Sequence, residues 1–282
     1  MITFTQQLTT TIAYDSVRTM LQQLMVPKTT QHELRIHQSV LINGTYHTFN
    51  QPVAAGAQIT LTYQDAQPPI YVPTNRPVTI AYEDHDLLVV DKPAGIKAHP
   101  NQPDETQTLM NRVAAYLAPM PAYITHRLDM LTSGLTLIAK DPLTQNIINR
   151  QLAQKTMTRE YVALVAPDIP DHGTISAPIG LDPTDKRKRM VTKDGLPAVT
   201  HYQVIARTAE WAQIQLQLET GRTHQIRVHL ASIGFPILGD PLYAPGFQTT
   251  RLFLHAETLR LTQPFTAQPL VVHQPAPFGI MR

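Results

Sequence analysis

The sequence predicts an α+β fold: a mixed β-sheet with helices packed on it, preceded by a small α+β module. Three observations predict it. Residues 66–78, AQPPIYVPTNRPV, hold four prolines and no helix or strand period, which marks a stiff linker between two units. The chain beyond it alternates short apolar runs of β character with helical ones. Residues 211–219, WAQIQLQLE, send Ala212, Ile214, Leu216 and Leu218 to one face and Gln213, Gln215, Gln217 and Glu219 to the other, the period-two mark of a half-buried strand.

Taken in order, residues 16–41 read as helical. Met20, Leu21, Leu24 and Met25 fall at helix spacing, and Pro27 ends the first pattern. Asn43-Gly44 is a tight-turn signal between short extended runs, and Gly56 marks another turn. Residues 1–65 are therefore expected to form a helix-pair-plus-hairpin module, and 79–282 the larger domain. There, TIAYEDHDLLVVDKP reads as a strand, a turn and a buried strand from Leu87 to Val90. Residues 108–118 and 142–154 read as helices. In the second, Asp141 caps, Pro142 suits the first turn, and Leu143, Ile147, Ile148 and Leu152 form one apolar face. LTLIAK and YVALVAP read as strands. After Thr220-Gly221 a helix carries Ile226, Leu230 and Ile233 on one side and stops at Gly234.

Composition narrows the function classes. The chain has 282 residues, 43% of them hydrophobic, which suits one large domain with one small one. No apolar run approaches the roughly 20 residues a bilayer span needs. The start, MITFTQQLTT, lacks the basic and apolar stretches of a signal peptide, so a cytoplasmic protein without a membrane partner is expected, with a monomer as the default. The absence of cysteine excludes disulfides, thiolate metal sites and a cysteine nucleophile. Net charge is only +2, and the one dense basic stretch is Lys186, Arg187, Lys188 and Arg189. By itself such a run is a solvated surface.

Familiar cofactor signatures are missing. There is no GxxxxGK[ST], GxGxxG or GxSxG, so no nucleotide cofactor is expected. His32 and His37 are one residue too far apart for a zinc pair on one helix face, and His224 and His229 share that spacing, so no metal site is expected. Two polar segments stand out among apolar strands. Thr125-His126-Arg127-Leu128-Asp129 places a carboxylate before the turn Thr132-Ser133-Gly134. Glu219-Thr220-Gly221-Arg222-Thr223-His224-Gln225-Ile226-Arg227 gathers basic groups at a helix start, where an anion is at home.

These segments carry a resemblance. HRLDMLTSGL resembles the central motif of the RluA-type pseudouridine synthases. GRTHQIRVHL, continued by Pro236 and Gly239-Asp240, is similar to a second family signature. Asp91-Lys92-Pro93-Ala94-Gly95 and Arg159-Glu160-Tyr161 match two more, and all four occur in the family's order. The resemblance implies a mixed, largely antiparallel sheet flanked by helices. The N-terminal part is more loosely similar to the α-L RNA-binding module of RluD-like members. It departs in charge: through residue 75, Arg18, Lys28 and Arg35 balance Asp15, Glu33 and Asp65.

The resemblance also implies an RNA partner, no cofactor, and Asp129 as the catalytic carboxylate. That group attacks the anomeric carbon or acts as a base on the sugar; the sequence leaves both open. An ionised carboxylate in a dry pocket needs a cation beside it. Arg227 is expected to be that cation, and Tyr161 to pack on the target base. Arg127 is expected to contact RNA or fill the space left by a flipped base, and His126, Arg222 and His224 to contact phosphate or position the substrate. Lys186 to Arg189 then becomes a backbone-binding loop. Large-subunit ribosomal RNA is the expected substrate and transfer RNA the alternative. Two competing functions are a glycosidase-like or phospho-aspartyl hydrolase, in the glycosidase form with Glu219 as second carboxylate, and a non-catalytic RNA-binding protein.

Overall fold

The first 65 residues build their own sheet. The computed structural model describes residues 1–246 and 249–279. It begins with β1 (Ile2–Thr9), α1 (Val17–Gln23), α2 (Lys28–Ile36), β2 (Val40–Ile42), β3 (Thr45–Tyr46) and β4 (Gln58–Asp65). The four strands lie antiparallel in the order β1-β4-β2-β3. Ser16 caps α1 by accepting from the Thr19 N–H at 3.0 Å. Asn43 and Gly44 turn the β2–β3 hairpin with φ of 49° and 81°, the doubly left-handed geometry that fits strand twist. Met20, Leu21, Leu34, Ile59 and Leu61 close the core. The opening strand is not anticipated by the sequence pattern. Gln6 and Gln7 blur its alternation, and pairing with β4, far along the chain, stabilises it instead.

The remaining chain forms β5 (Thr79–Glu83), β6 (Leu87–Lys92), α3 (Leu109–Leu117), β7 (Tyr123–Ile124), β8 (Ser133–Ala139), α4 (Pro142–Ala153), β9 (Thr158–Val165), β10 (His172–Ser176), β11 (Ile179–Leu181), β12 (Arg189–Val191), β13 (Val199–Arg207), β14 (Ala212–Leu218), α5 (Gln225–Ser232), β15 (Leu254–Thr262) and β16 (Pro269–His273). Its large sheet runs β10-β13-β14-β9-β15-β8-β6-β5, with β16 beside β15 and β7 beside β8. Neighbours are antiparallel except β15 and β8. This is the mixed, largely antiparallel α+β architecture that the resemblance implies. Where β8 crosses β15, a Cβ on Gly134 would overlap the Ala256 carbonyl, and its φ of 114° already favours glycine. That crossing fixes the chain just after Asp129.

Asp141 caps α4 as its sequence indicates, accepting from the Thr144 N–H at 2.8 Å. The apolar face of α4 splits: Leu143 and Ile147 enter the N-terminal core, while Ile148 joins Leu135 and Leu137 on the large sheet. Two crossed bonds reinforce this contact. Tyr63 donates to Asp141 Oδ1 at 2.6 Å and Tyr123 to Asp65 Oδ2 at 2.8 Å, with the Phe4 ring against both tyrosines. Residues 66–78 contain neither helix nor strand and are pinned to α3, where Asn111 donates to the Val72 carbonyl at 2.8 Å. On α5, Ile226 and Leu230 are buried, but Ile233 falls past the helix end and is exposed.

Candidate active site

Asp129 sits in the loop between β7 and β8, held from several sides. Its own carbonyl accepts from the Thr132 N–H at 3.1 Å, closing a turn. The next carbonyl, of Met130, accepts from the Gly95 N–H at 2.8 Å and from Lys92 Nζ at 3.2 Å. Lys92 is fully buried, and Nζ also donates to the Pro93 and Ile96 carbonyls at 3.0 Å each. Burial pulls its pKa down to about 7 against the attraction of Asp129 and Asp91. Three carbonyls match the three N–H bonds of an ammonium, which favours the charged form. Asp91-Lys92-Pro93-Ala94-Gly95 is thus the brace beneath the Asp129 loop.

Arg227 reaches Asp129 from the first turn of α5, with Nη1 at 3.5 Å from Oδ2. The expected pair is present, but it is not the guanidinium's main bond. Arg227 Nε donates to Asp240 Oδ2 at 2.7 Å and Nη2 to Oδ1 at 2.9 Å, a bidentate fork on a carboxylate with no exposed surface. Asp240 is oriented in turn by the backbone N–H groups of Leu242 and Tyr243. The Tyr243 ring lies 5.2 Å from the guanidinium carbon. Burial opposes the charge on Arg227, but Asp240 and Asp129 outweigh it and hold its pKa above the ordinary value. With the fork taken, one Nη faces Asp129.

Tyr161 on β9 is buried in the same cavity. Burial pushes its phenol up, with Asp129 adding to that and Arg159 opposing it, so the hydroxyl keeps its proton. His224 precedes α5 with φ of 57°, a left-handed backbone that aims its ring inward. Nδ1 lies 3.0 Å from the Tyr243 hydroxyl and Nε2 3.9 Å from Asp129 Oδ2. Burial lowers its pKa, though Asp129 works the other way, which leaves a neutral ring.

The cavity is open on one side and lined by Asp129, Tyr161, Arg227, His224, Arg127 and Arg159 among others. Asp129 is the one acid among its described lining residues. Glu219 does not line it; it is paired with Lys155 at 3.0 Å and with His201 at 2.8 Å. A retaining glycosidase needs paired carboxylates about 5 Å apart, so that alternative lacks its second group.

The other candidate residues divide. Arg127 is exposed at the cavity mouth, and Arg222 stands there too, its Nε donating to the Pro197 carbonyl at 3.1 Å. His126 corrects the sequence reading. It is buried, Nε2 accepts from the Leu137 N–H at 3.1 Å, and burial drives its pKa down to about 3. A neutral ring bonded to the backbone orders the loop and is not placed to bind phosphate. Lys186, Arg187, Lys188 and Arg189 lead into and begin β12. Arg187 pairs with Asp185, bidentate at 2.9 and 2.7 Å, while its side chain stays largely exposed. The Arg189 N–H meets the Tyr243 hydroxyl at 2.8 Å, tying this loop to the site. Sequence reasoning missed the roles of Asp240, Tyr243 and Lys92. Asp240 and Lys92 lie in the signature segments, which was the available signal.

Comparisons with known proteins bear on the family and the fold. Residues 86–232 match the RNA pseudouridylate synthase family, and residues 4–59 match the RluD ribosomal pseudouridine synthase N-terminal domain. An uncharacterized RNA pseudouridine synthase of Bacillus subtilis (strain 168), YlyB, is 39% identical over 84% of this chain and 82% of its own length. Ribosomal large subunit pseudouridine synthase D of Escherichia coli O6:H1 is 33% identical over 96% of this chain and 91% of its own. Among solved structures, human RNA pseudouridylate synthase domain containing 1 is similar with a TM-score of 0.61 at 27% identity, covering 74% of this chain and 87% of that one.

Proposed function

Since the chain belongs to the RNA pseudouridylate synthase family and is an isomerase, we propose that it isomerises uridine in large-subunit ribosomal RNA with Asp129 as the catalytic carboxylate. The observation that carries this reading is the Asp129–Arg227–Asp240 array beside Tyr161, in a cavity where Asp129 is the one acid among the described lining residues.

The reaction breaks the bond from N1 of uracil to C1′ of the sugar, turns the base, and joins C5 to C1′. The proton on C5 leaves and N1 takes one, so no atom is gained or lost and no cofactor is called for. Attack of the carboxylate on C1′ and removal of a sugar proton both start from an ionised Asp129. Arg227 stabilises that anion from a fixed direction, because Asp240 holds its other two nitrogens. Tyr161 offers a ring to the base and a protonated hydroxyl beside it. Arg127 and Arg222 at the mouth meet the backbone of the splayed nucleotide, with Lys186, Lys188 and Arg189 further along.

The ribosomal assignment is supported by relatives whose names specify the ribosomal large subunit, and by the N-terminal match. Transfer RNA finds no such support in those names. We assign residues 1–65 to an α-L-like module, 66–78 to a linker and 79–282 to the catalytic domain. A module with no net charge gives phosphate little purchase, so the catalytic domain carries most of the RNA contact. One chain supplies every group of the site, which suits a monomer, and a ribosomal substrate suits a cytoplasmic enzyme. Among the described residues no helix is long and apolar enough to cross a membrane. The test is tritium release from [5-³H]uridine in large-subunit ribosomal and transfer RNA transcripts, followed by mapping of the product. Release from ribosomal RNA at a defined uridine is expected. Release from transfer RNA alone would overturn the substrate, and release from neither would overturn the activity.

A further inference from the structure

We propose that Arg159 binds a backbone phosphate of the substrate RNA, with its guanidinium placed by close contact against Gly221. The inference rests on the RNA reading above. Arg159 opens β9, two residues before Tyr161, and is half-buried. It lines both the cavity that holds Asp129 and the adjoining groove that carries Lys97, His99 and Arg127.

The basic groups around this opening are not equivalent. Lys97 is paired with Glu105, Arg227 with Asp240, and Arg222 gives Nε to a carbonyl. Among the described residues, no hydrogen bond or ion pair engages the Arg159 guanidinium. A half-buried, partly hydrated guanidinium leaves its donors open to an anion unless its neighbours complete it. Its neighbours do not: His126 is a neutral ring, and the Tyr161 hydroxyl keeps its proton. A guanidinium presents a planar fork that fits a phosphate. The position beside Asp129 suits the backbone of a nucleotide whose base has swung inward.

Gly221 supplies an independent observation. A Cβ there would stand 3.2 Å from Arg159 Nη2 and 3.5 Å from Nη1. Its backbone φ is not in the left-handed region, so the backbone does not require glycine. An added Cβ would instead press the end of the Arg159 side chain aside by a few tenths of an ångström. The strand that carries Tyr161 and the loop that leads to Arg227 are therefore matched to each other through this contact.

The experiment uses the full chain and a ribosomal RNA transcript that the wild type modifies, with Arg159→Ala, Arg159→Lys, Gly221→Ala and the double variant. Loss of one charged phosphate contact should raise KM about tenfold, with the loss carried by KM rather than kcat. The slope of log affinity against log salt should fall by roughly 0.7–0.9, the share of one phosphate. Arg159→Lys should recover part of the affinity. Gly221→Ala should raise KM by a smaller factor, and add nothing in the Arg159→Ala background. Unchanged KM and salt slope in Arg159→Ala, or a loss confined to kcat, would overturn the phosphate assignment while leaving the enzyme's function intact. A wild type inactive on every RNA would bring down both readings.

Discussion

Asp240→Asn tests how the site is built. Asp240 has no exposed surface and accepts four hydrogen bonds: Arg227 Nε at 2.7 Å, Arg227 Nη2 at 2.9 Å, and the Leu242 and Tyr243 N–H groups at 2.9 and 3.2 Å. Asparagine keeps one oxygen and turns an NH2 toward a donor, so at least one charge-assisted bond becomes a clash. Removing one partner of a buried pair costs about 3–5 kcal/mol. Asp129 still faces the guanidinium at 3.5 Å, so the lower end, about 3 kcal/mol, applies here. For a chain of this size that is a fall in Tm of roughly 6–12 °C. Calorimetry measures it. Activity should fall further than folding does, because a released guanidinium turns toward Asp129, and displacement of about 1 Å at a catalytic group can cost 10²-fold. Single-turnover tritium release below the new Tm reads that loss. A variant that melts like the wild type and turns over normally would refute Asp240 as the anchor of Arg227.

Buried histidines set an acid limit on stability. His126 and His255 have pKa values pushed by burial from 6.5 down to about 3 and about 4. The unfolded chain takes up these protons first, so stability is full above pH 6.5 and is lost as pH falls below it. Each group contributes a slope of about 1.4 kcal/mol per pH unit, down to its folded value. Urea midpoints at pH 7, 6 and 5 should decline, and flat midpoints would contradict the assignment. The crossed tyrosines make a separate test. Tyr63→Phe and Tyr123→Phe each remove a bond to a carboxylate across the contact between the two sheets. Each should cost about 1–2 kcal/mol and expose residues 66–78 to protease. Unchanged melting and cleavage would show that apolar packing alone holds the module.

The sequence shows which residues meet more readily than how they bond. Asp129, Tyr161 and Arg227 come from a loop, a strand and a helix, and their motifs already mark them; they line one cavity. Helix α4 was legible because capping is local: Asp141 and Pro142 sit beside the turn they start. Pairings across distance were hidden. The fork between Arg227 and Asp240 joins a helix to a later loop, and nothing in GRTHQIR names the acid that holds its last arginine. The strand β1 was hidden for the same reason, since its partner lies about fifty residues on. His126 shows a different limit. Its immediate neighbours Thr125 and Arg127 are polar, and burial behind the Leu137 amide belongs to the tertiary structure. The pair between Arg187 and Asp185 was readable, because the two lie two positions apart.

The most direct test of the catalytic assignment is Asp129→Asn in a tritium-release assay run beside a binding measurement on the same transcript. The replacement keeps shape and removes charge, so RNA affinity should stay within a few-fold of wild type while release falls to background. Release that persists in the variant would show that the reaction does not pass through this carboxylate.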